Sequence, residues 1–204
     1  MIKLIRTSLS IAFFATLISP ASFAAKVGAP APDFSAKDID GKTVKLSGYQ
    51  GKYVVLEWHN QGCPYVKKHY NSSNMQKLQA KWTQKGVIWL SIISSAKGKE
   101  GYVTADEEKT YLKEKSASPT DVLLDSDGIA GKLYSAKTTP HMFVIDPKGT
   151  LIYDGAIDDK PSTDVKDVEG AKNYVSAALD EAMAGKPVTT SSTRPYGCSV
   201  KYKD

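Results

Sequence analysis

A strand-like run that breaks into a cysteine and a proline constrains this chain more than any other feature. Tyr53-Val54-Val55-Leu56 is β-branched and apolar, the composition of a buried strand. Beyond it, Val66 and Tyr70 begin an i, i+4 apolar stripe, so the chain has turned into a helix. Cys63 stands at that junction and Pro64 takes the first helical position, where proline is favoured. The free N–H groups and dipole of a helix start stabilise an anion, and the anion available is a Cys63 thiolate. An unperturbed thiol, with a pKa of about 8.5, is only slightly ionised at neutral pH. Lowering that value by about two units makes the thiolate the major form. The stretch from Glu57 to Tyr70 therefore points to a reactive, redox-competent cysteine.

The chain opens with Met1-Ile2-Lys3-Leu4-Ile5-Arg6, continues with an apolar run from Leu9 to Ile18, and reaches small residues at Ser22 and Ala24. That order describes a secretory signal peptide over residues 1–24, cleaved between Ala24 and Ala25. The apolar run is short for a membrane span, so no membrane association is expected after its removal. A periplasmic or secreted location follows. The remaining 180 of the 204 residues suffice for a well-buried α/β core. Loss of Lys3 and Arg6 takes the formal charge from +5 to +3. The lysines are dispersed and not interleaved with aromatics, a pattern that gives nucleic-acid binding little support. Cys63 and Cys198 are the only cysteines, and two thiols in an oxidising compartment pair where the fold allows it.

Read in order, Phe34–Ile39 and Thr43–Leu46 flank Asp40-Gly41 as a hairpin. The central strand spans 53–58. A helix from Pro64 to about Thr83 is expected, with a break at Asn71-Ser72-Ser73-Asn74. Val87–Ile93 reads as a strand covered on both faces, and Ser94–Val103 as a polar loop. Thr104 and Glu107 form a capping-box signature that opens a helix to about Lys115. A short strand at 122–124, a small helix at 129–134 and strands at 141–145 and 151–153 follow. A closing helix should present Ala171, Tyr174, Val175, Ala178, Leu179, Ala182 and Met183 on one face. The expected domain covers residues 25–187, and residues 188–204 form a tail carrying Cys198. The pattern is α/β: a central mixed β-sheet with helices on both faces.

These segments resemble the thioredoxin-like superfamily in its peroxiredoxin-like branch, the alkyl hydroperoxide reductase and thiol-specific antioxidant proteins. More closely, they are similar to exported bacterial redoxins whose site reads Asn-x-x-Cys-Pro-[Phe/Tyr]-Val and whose tail reads Pro-Tyr-Gly-Cys-Ser. The resemblance implies a thioredoxin-like fold with Cys63 as the attacking cysteine and Thr139-Pro140 as a cis-proline loop beside its sulfur. It implies that Glu57, six residues before Cys63, is the buried proton acceptor, and that Asn60 and Gly62 shape the turn. A raised Glu57 pKa would suit proton transfer to a departing sulfur. The other reading is a carboxyl leaning into a water pocket.

The departures from the family pattern bear on mechanism. Val66 replaces the second cysteine of Cys-x-x-Cys, so no resolving thiol lies nearby in sequence. Leu56 and Asn60 stand where peroxiredoxins carry the proline and threonine of Pro-x-x-x-Thr-x-x-Cys. Arg194, in the tail, is the only arginine after residue 24, which leaves Lys67 or Lys68 to supply charge without a planar fork.

Cys198 is the expected resolving cysteine, with a static clamp as the other reading. The leading function is an exported thiol–disulfide oxidoreductase that needs no bound cofactor. It draws electrons from a reducing partner protein, thioredoxin-like or a membrane electron donor. The alternatives are a thiol peroxidase working through a Cys63 sulfenic acid, and a non-catalytic or metal-handling module. In that last reading Cys63, His59 and His141 would bind copper or zinc, although no metal-ligand spacing supports it. His59 and His141 are otherwise expected to flank the site and tune the thiolate.

Overall fold

A computed structural model describes residues 24–203; the expected signal peptide thus lies outside the described residues but for Ala24. The Asp40-Gly41 turn joins β1 (Ser35–Asp38) to β2 (Thr43–Lys45), antiparallel and in the register that pairs Ala36 with Val44. β3 (Val54–Trp58) is buried along its whole length, as its apolar composition requires. It pairs in parallel with β4 (Ile88–Ile93), which pairs in parallel with β5 (Asp121–Leu124). On its other side β3 pairs antiparallel with β7 (His141–Ile145), followed by β8 (Leu151–Gly155). The sheet order is β2-β1-β5-β4-β3-β7-β8, a mixed sheet with β3 near its middle.

Period-2 alternation divides the sheet residues between two apolar layers. Val55, Trp89, Met142, Val144 and Tyr153 pack under α1 (Pro64–Asn71), α2 (Asn74–Gln84), α3 (Ala105–Lys115) and α5 (Tyr174–Met183). Leu56, Trp58, Leu90, Ile92 and Phe143 face the opposite way, toward the N-terminal hairpin and α4 (Ile129–Leu133). Helices on both faces of a mixed sheet make this a thioredoxin-like fold, as the element order anticipates.

The expected break after Pro64 divides that segment into α1 and α2. Ser72 turns its hydroxyl back onto the carbonyls of Lys68 and His69, and Ser73 adopts φ 59°, which no helix continues through. One expectation needs correction. The closing helix begins at Tyr174, capped by Asn173 through the Ser176 N–H, so Ala171 lies outside it and Met183 is exposed. The tail that carries Cys198 is paired to the domain. Ser192 bridges Asp154, and β9 (Cys198–Ser199) pairs antiparallel with β6 (Thr138–Thr139).

The capping box is complete. The Thr104 hydroxyl accepts from the Glu107 N–H at 3.3 Å, and the Glu107 carboxylate accepts from the Thr104 N–H at 2.7 Å. Thr104→Ala is expected to cost about 1 kcal/mol. Calorimetry should show this as a fall of about 2–4 °C in Tm.

Candidate active site

Cys63 is the N-cap residue of α1, in extended conformation, with Pro64 opening the helix. The turn that delivers it is built by Asn60, whose side chain accepts from the Gly62 N–H at 2.8 Å and whose carbonyl accepts from the Cys63 N–H at 3.0 Å. A cis peptide bond joins Thr139 to Pro140, and the Thr139 carbonyl lies 3.0 Å from the Cys63 sulfur. Backbone pairing of β6 with β9 sets Cys198 opposite Thr139 and brings the two sulfurs to 2.7 Å. Both thiols are free. Cys63 is fully buried, whereas Cys198 is half-buried.

The two thiols differ in acidity. Burial alone would push the Cys63 thiol up. The Cys198 thiol, Thr139 and the backbone N–H groups of Val66 and Cys198 more than offset it and hold Cys63 below the usual thiol range. The Thr139 hydroxyl itself is buried without a hydrogen-bond partner. Cys198 is pushed up to about 12, by burial first and then by its bond to Cys63 and repulsion from the thiolate. The first proton lost therefore leaves a Cys63 thiolate accepting from the Cys198 thiol.

Glu57 does not have the raised pKa that one of its two readings requires. It is fully buried, which by itself raises a carboxyl, but His59 and hydrogen bonds from Trp89 and Tyr70 bring it below the ordinary range. Its oxygens accept from the Tyr70 hydroxyl at 2.9 Å, the Trp89 indole at 2.7 Å and the Ser91 hydroxyl at 3.0 Å. So satisfied a carboxylate stays ionised.

The structure separates the two candidate histidines. Sheet alternation places His59 on the layer of Glu57, and His141 with Phe143 on the other. His141 accepts from the Lys137 N–H through Nδ1 at 3.2 Å and meets Asp154 through Nε2 at 2.8 Å, which uses both ring nitrogens. The imagined Cys63–His59–His141 metal site is therefore not assembled. Lys67 is exposed, and its neighbour Lys68 is buried beside Asp158, 3.8 Å away.

Sequence reasoning missed the anchor of the tail. Tyr196 donates to Asp158, which also lies 3.8 Å from Lys68 and 3.9 Å from His69. Lys68 in turn donates to the Lys160 carbonyl at 2.7 Å. The Tyr196 ring meets Tyr65 edge-on, at the rim of a groove of about 610 Å³ that Arg194 and Tyr174 also line. The available signal was the aromatic two residues before Cys198. Glu108, buried against His59, was missed as well.

A thiol at a strand-to-helix junction, a cis-proline beside its sulfur and a mixed sheet covered on both faces define a thioredoxin-like redoxin. The chain belongs to the AhpC/TSA family, whose sequence profile matches residues 27–154, a stretch that ends before the tail. It is 28% identical over 131 residues to the thiol-disulfide oxidoreductase ResA of Bacillus cereus, covering 62% of this chain and 68% of that one. Among solved structures it is similar to an uncharacterized conserved protein from Geobacillus kaustophilus, with TM-score 0.76 and 26% identity over 87% of this chain and 93% of that one. It is also similar to a putative thiol:disulfide interchange protein DsbE from Chlorobium tepidum, with TM-score 0.53 and 27% identity over 64% of this chain and 85% of that one.

Two outcomes follow from the tail anchor. A Cβ at Gly197 would stand 2.1 Å from the Thr139 carbonyl oxygen, on a backbone with φ +141°. Gly197→Ala should unseat β9 and part the two sulfurs, so that any Cys63–Cys198 disulfide formed by an added oxidant closes on the order of a hundredfold more slowly, as timed by intact mass. His69 is held down to about 4 by burial and by neighbouring Lys68, against the pull of Asp158. Between that value and the unfolded pKa of about 6.5, the unfolded chain binds more protons, so stability falls as pH falls through the window. The loss on His69's account should be on the order of 3 kcal/mol, and chemical unfolding of His69→Gln should lack it.

Proposed function

We propose that this chain is an exported thiol–disulfide oxidoreductase in which Cys63 and Cys198 form the redox couple. The observation that carries this reading is the 2.7 Å approach of a low-pKa, helix-start sulfur to a second sulfur held by its own strand. The relatives named as thiol-disulfide oxidoreductases support the same chemistry. Export rests on the basic, apolar and small-residue order of residues 1–24. Among the described residues no helix is long and apolar enough to cross a membrane.

In this mechanism the Cys63 thiolate attacks one sulfur of a substrate disulfide and expels the other as a thiolate. Cys63 has no exposure while β9 is seated, so the substrate reaches it with the strand lifted from Thr139. Reseating brings Cys198 back to Cys63. Cys198, losing its proton, attacks Cys63 and releases the reduced substrate, which leaves a Cys63–Cys198 disulfide. A dithiol reductant then restores the enzyme. Its thiolate attacks the more accessible Cys198 sulfur, and Cys63, the more acidic thiol, leaves as thiolate. The reductant's second thiol completes the exchange and frees Cys198, which takes up a proton. The Thr139 carbonyl and the cis-Pro140 that follows it border the sulfur, and Asn60, Gly62 and Pro64 fix the turn that presents it.

The full burial of Cys63 favours one second reading, a thiol peroxidase, because a small peroxide needs less opening of the tail. There the thiolate takes one peroxide oxygen to become a sulfenic acid, and hydroxide leaves with a proton as water. Cys198 then condenses with the sulfenic acid and releases a second water.

The two readings separate in one experiment on the reduced mature protein and its Cys198→Ser and Cys63→Ser variants. Each is exposed to one equivalent of a disulfide-containing peptide or of hydrogen peroxide, and intact mass is followed in time. The oxidoreductase reading expects fast mixed-disulfide accumulation in Cys198→Ser, none in Cys63→Ser, and slow reaction with peroxide. Rapid sulfenic acid formation in Cys198→Ser with slow peptide exchange would establish the peroxidase instead. A wild type that forms no Cys63–Cys198 disulfide by either route would overturn the couple itself.

A further inference from the structure

Tyr196 holds a place in the tail that the thiol chemistry above does not use. On one side of it the chain is tied to β8: the Thr193 N–H donates to the Asp154 carbonyl at 3.1 Å, and the Thr193 hydroxyl accepts from the Ala156 N–H at 2.9 Å. On the other side the Val200 N–H donates to the Lys137 carbonyl at 3.0 Å and the Ala96 N–H to the Lys201 carbonyl at 2.8 Å. Between these ties, residues 194–199 form the span that brings Cys198 to the Cys63 sulfur. The two-residue β6–β9 ladder and the Tyr196 side chain hold that span to the domain.

The Tyr196 hydroxyl donates to the buried Asp158, and its ring meets that of Tyr65 with 5.8 Å between centroids. Tyr65 stands two residues beyond Cys63 in α1, and Tyr196 and Cys198 both pack against the apolar cluster that holds Cys63. Only Gly197 separates Tyr196 from Cys198, so the ring cannot move far from Asp158 without drawing β9 off Thr139. The chemistry of this seat suits release. A neutral phenol donates to a carboxylate, a bond stronger than one between two neutral groups. When it breaks, no charge is left without support. Asp158 keeps the Lys160 N–H at 2.9 Å and Lys68 at 3.8 Å, and the buried Lys68 keeps the Lys160 carbonyl at 2.7 Å. An ion pair in place of the phenol would strand a buried charge on opening, at far greater cost.

We propose that Tyr196 is the residue that governs access to Cys63, a positioning residue whose seat on Asp158 holds the 194–199 span closed. Its release opens Cys63 to substrate while Thr193 and Val200 stay tied, so the span lifts as a loop with both ends fixed. Cys63 has no exposure in the seated form, and its reaction with anything in solution therefore proceeds through the opened span. Losing the phenol's bond to the carboxylate makes opening easier without altering the sulfur's own surroundings. The proposal rests on Cys63 as a nucleophile reached with β9 lifted, and not on the pairing of Cys63 with Cys198.

The test uses the full mature chain with Cys198→Ser, where only the Cys63 thiol remains and iodoacetamide alkylates it. Tyr196→Phe keeps the ring and removes the hydroxyl. It should raise the alkylation rate about tenfold at every pH from about 6 to 9 and leave the midpoint of the pH profile in place, because the opened fraction rises and the thiol's acidity does not change. Tyr53→Phe removes a hydroxyl bonded to the Ala182 carbonyl at 3.0 Å, before β3 and away from Cys63, and should not change the rate. Amide hydrogen exchange, in the chain that keeps both cysteines, gives a second readout. Tyr196→Phe should speed exchange at Cys198 by the same factor and spare Thr193 and Val200. An alkylation rate that Tyr196→Phe leaves unchanged would overturn the proposal. So would a rise that Tyr53→Phe reproduces, a moved pH midpoint with no rise at high pH, or exchange at Thr193 and Val200 that quickens with Cys198. Amide exchange reads the latch whether or not Cys63 attacks a disulfide, so failure of the thiol–disulfide reading and failure of this proposal remain separate results.

Discussion

The pairing of Cys198-Ser199 with Thr138-Thr139 is the contact on which the site depends. It is only two residues long on each side, yet it shares the Thr139 edge with the Cys63 sulfur and sets the second sulfur at that edge. So small a ladder needs support from outside itself. The Val200 N–H donates to the Lys137 carbonyl, the Ala96 N–H to the Lys201 carbonyl and the Tyr202 hydroxyl to the Ala136 carbonyl. Upstream, the Thr193 hydroxyl accepts from the Ala156 N–H at 2.9 Å. The tail is thus held on both sides of Cys198, with Tyr196 anchored on Asp158 in between.

Two buried charge clusters meet on the first helix after Cys63. One face of α1 carries Tyr70 toward Glu57 and His59, and another carries Lys68 and His69 toward Asp158. Their histidines are driven in opposite directions. His59 faces a carboxylate on each side and is raised. His69 accepts from the Asn74 amide at 2.9 Å, lies beside Lys68 and is lowered. Burial is common to both, so the neighbours decide the sign.

Much of this molecule is legible along the chain. The Asp40-Gly41 hairpin, the Cys63–Pro64 helix start, the break at Ser72-Ser73 and the Thr104–Glu107 box all rest on neighbouring residues, and each appears in place. What was not legible depends on partners far apart. The donors that keep Glu57 ionised arrive from α1 and β4, so an isolated reading of a carboxyl in an apolar strand gives the wrong sign for its pKa. The opposite facing of His59 and His141 follows from alternation, but only once β3 and β7 are known to be neighbours in register. The β9 pairing leaves no periodic trace at all, because a two-residue strand has no pattern to repeat.

In the couple proposed for Cys63 and Cys198, a separation of 135 residues would tie electron transfer to folding. Oxidation closes a loop that spans most of the domain and removes that freedom from the unfolded chain, an effect of about 5 kcal/mol in the chain-entropy model. A thermodynamic cycle runs both ways: whatever oxidation adds to the stability of the fold, the fold returns as preference for the disulfide. The reduction potential of that proposed couple would then be a property of the whole seated tail rather than of two sulfur atoms. Remote contacts, such as Tyr202 packed over Gly128 and Gly131, would then belong to the proposed couple without approaching either cysteine.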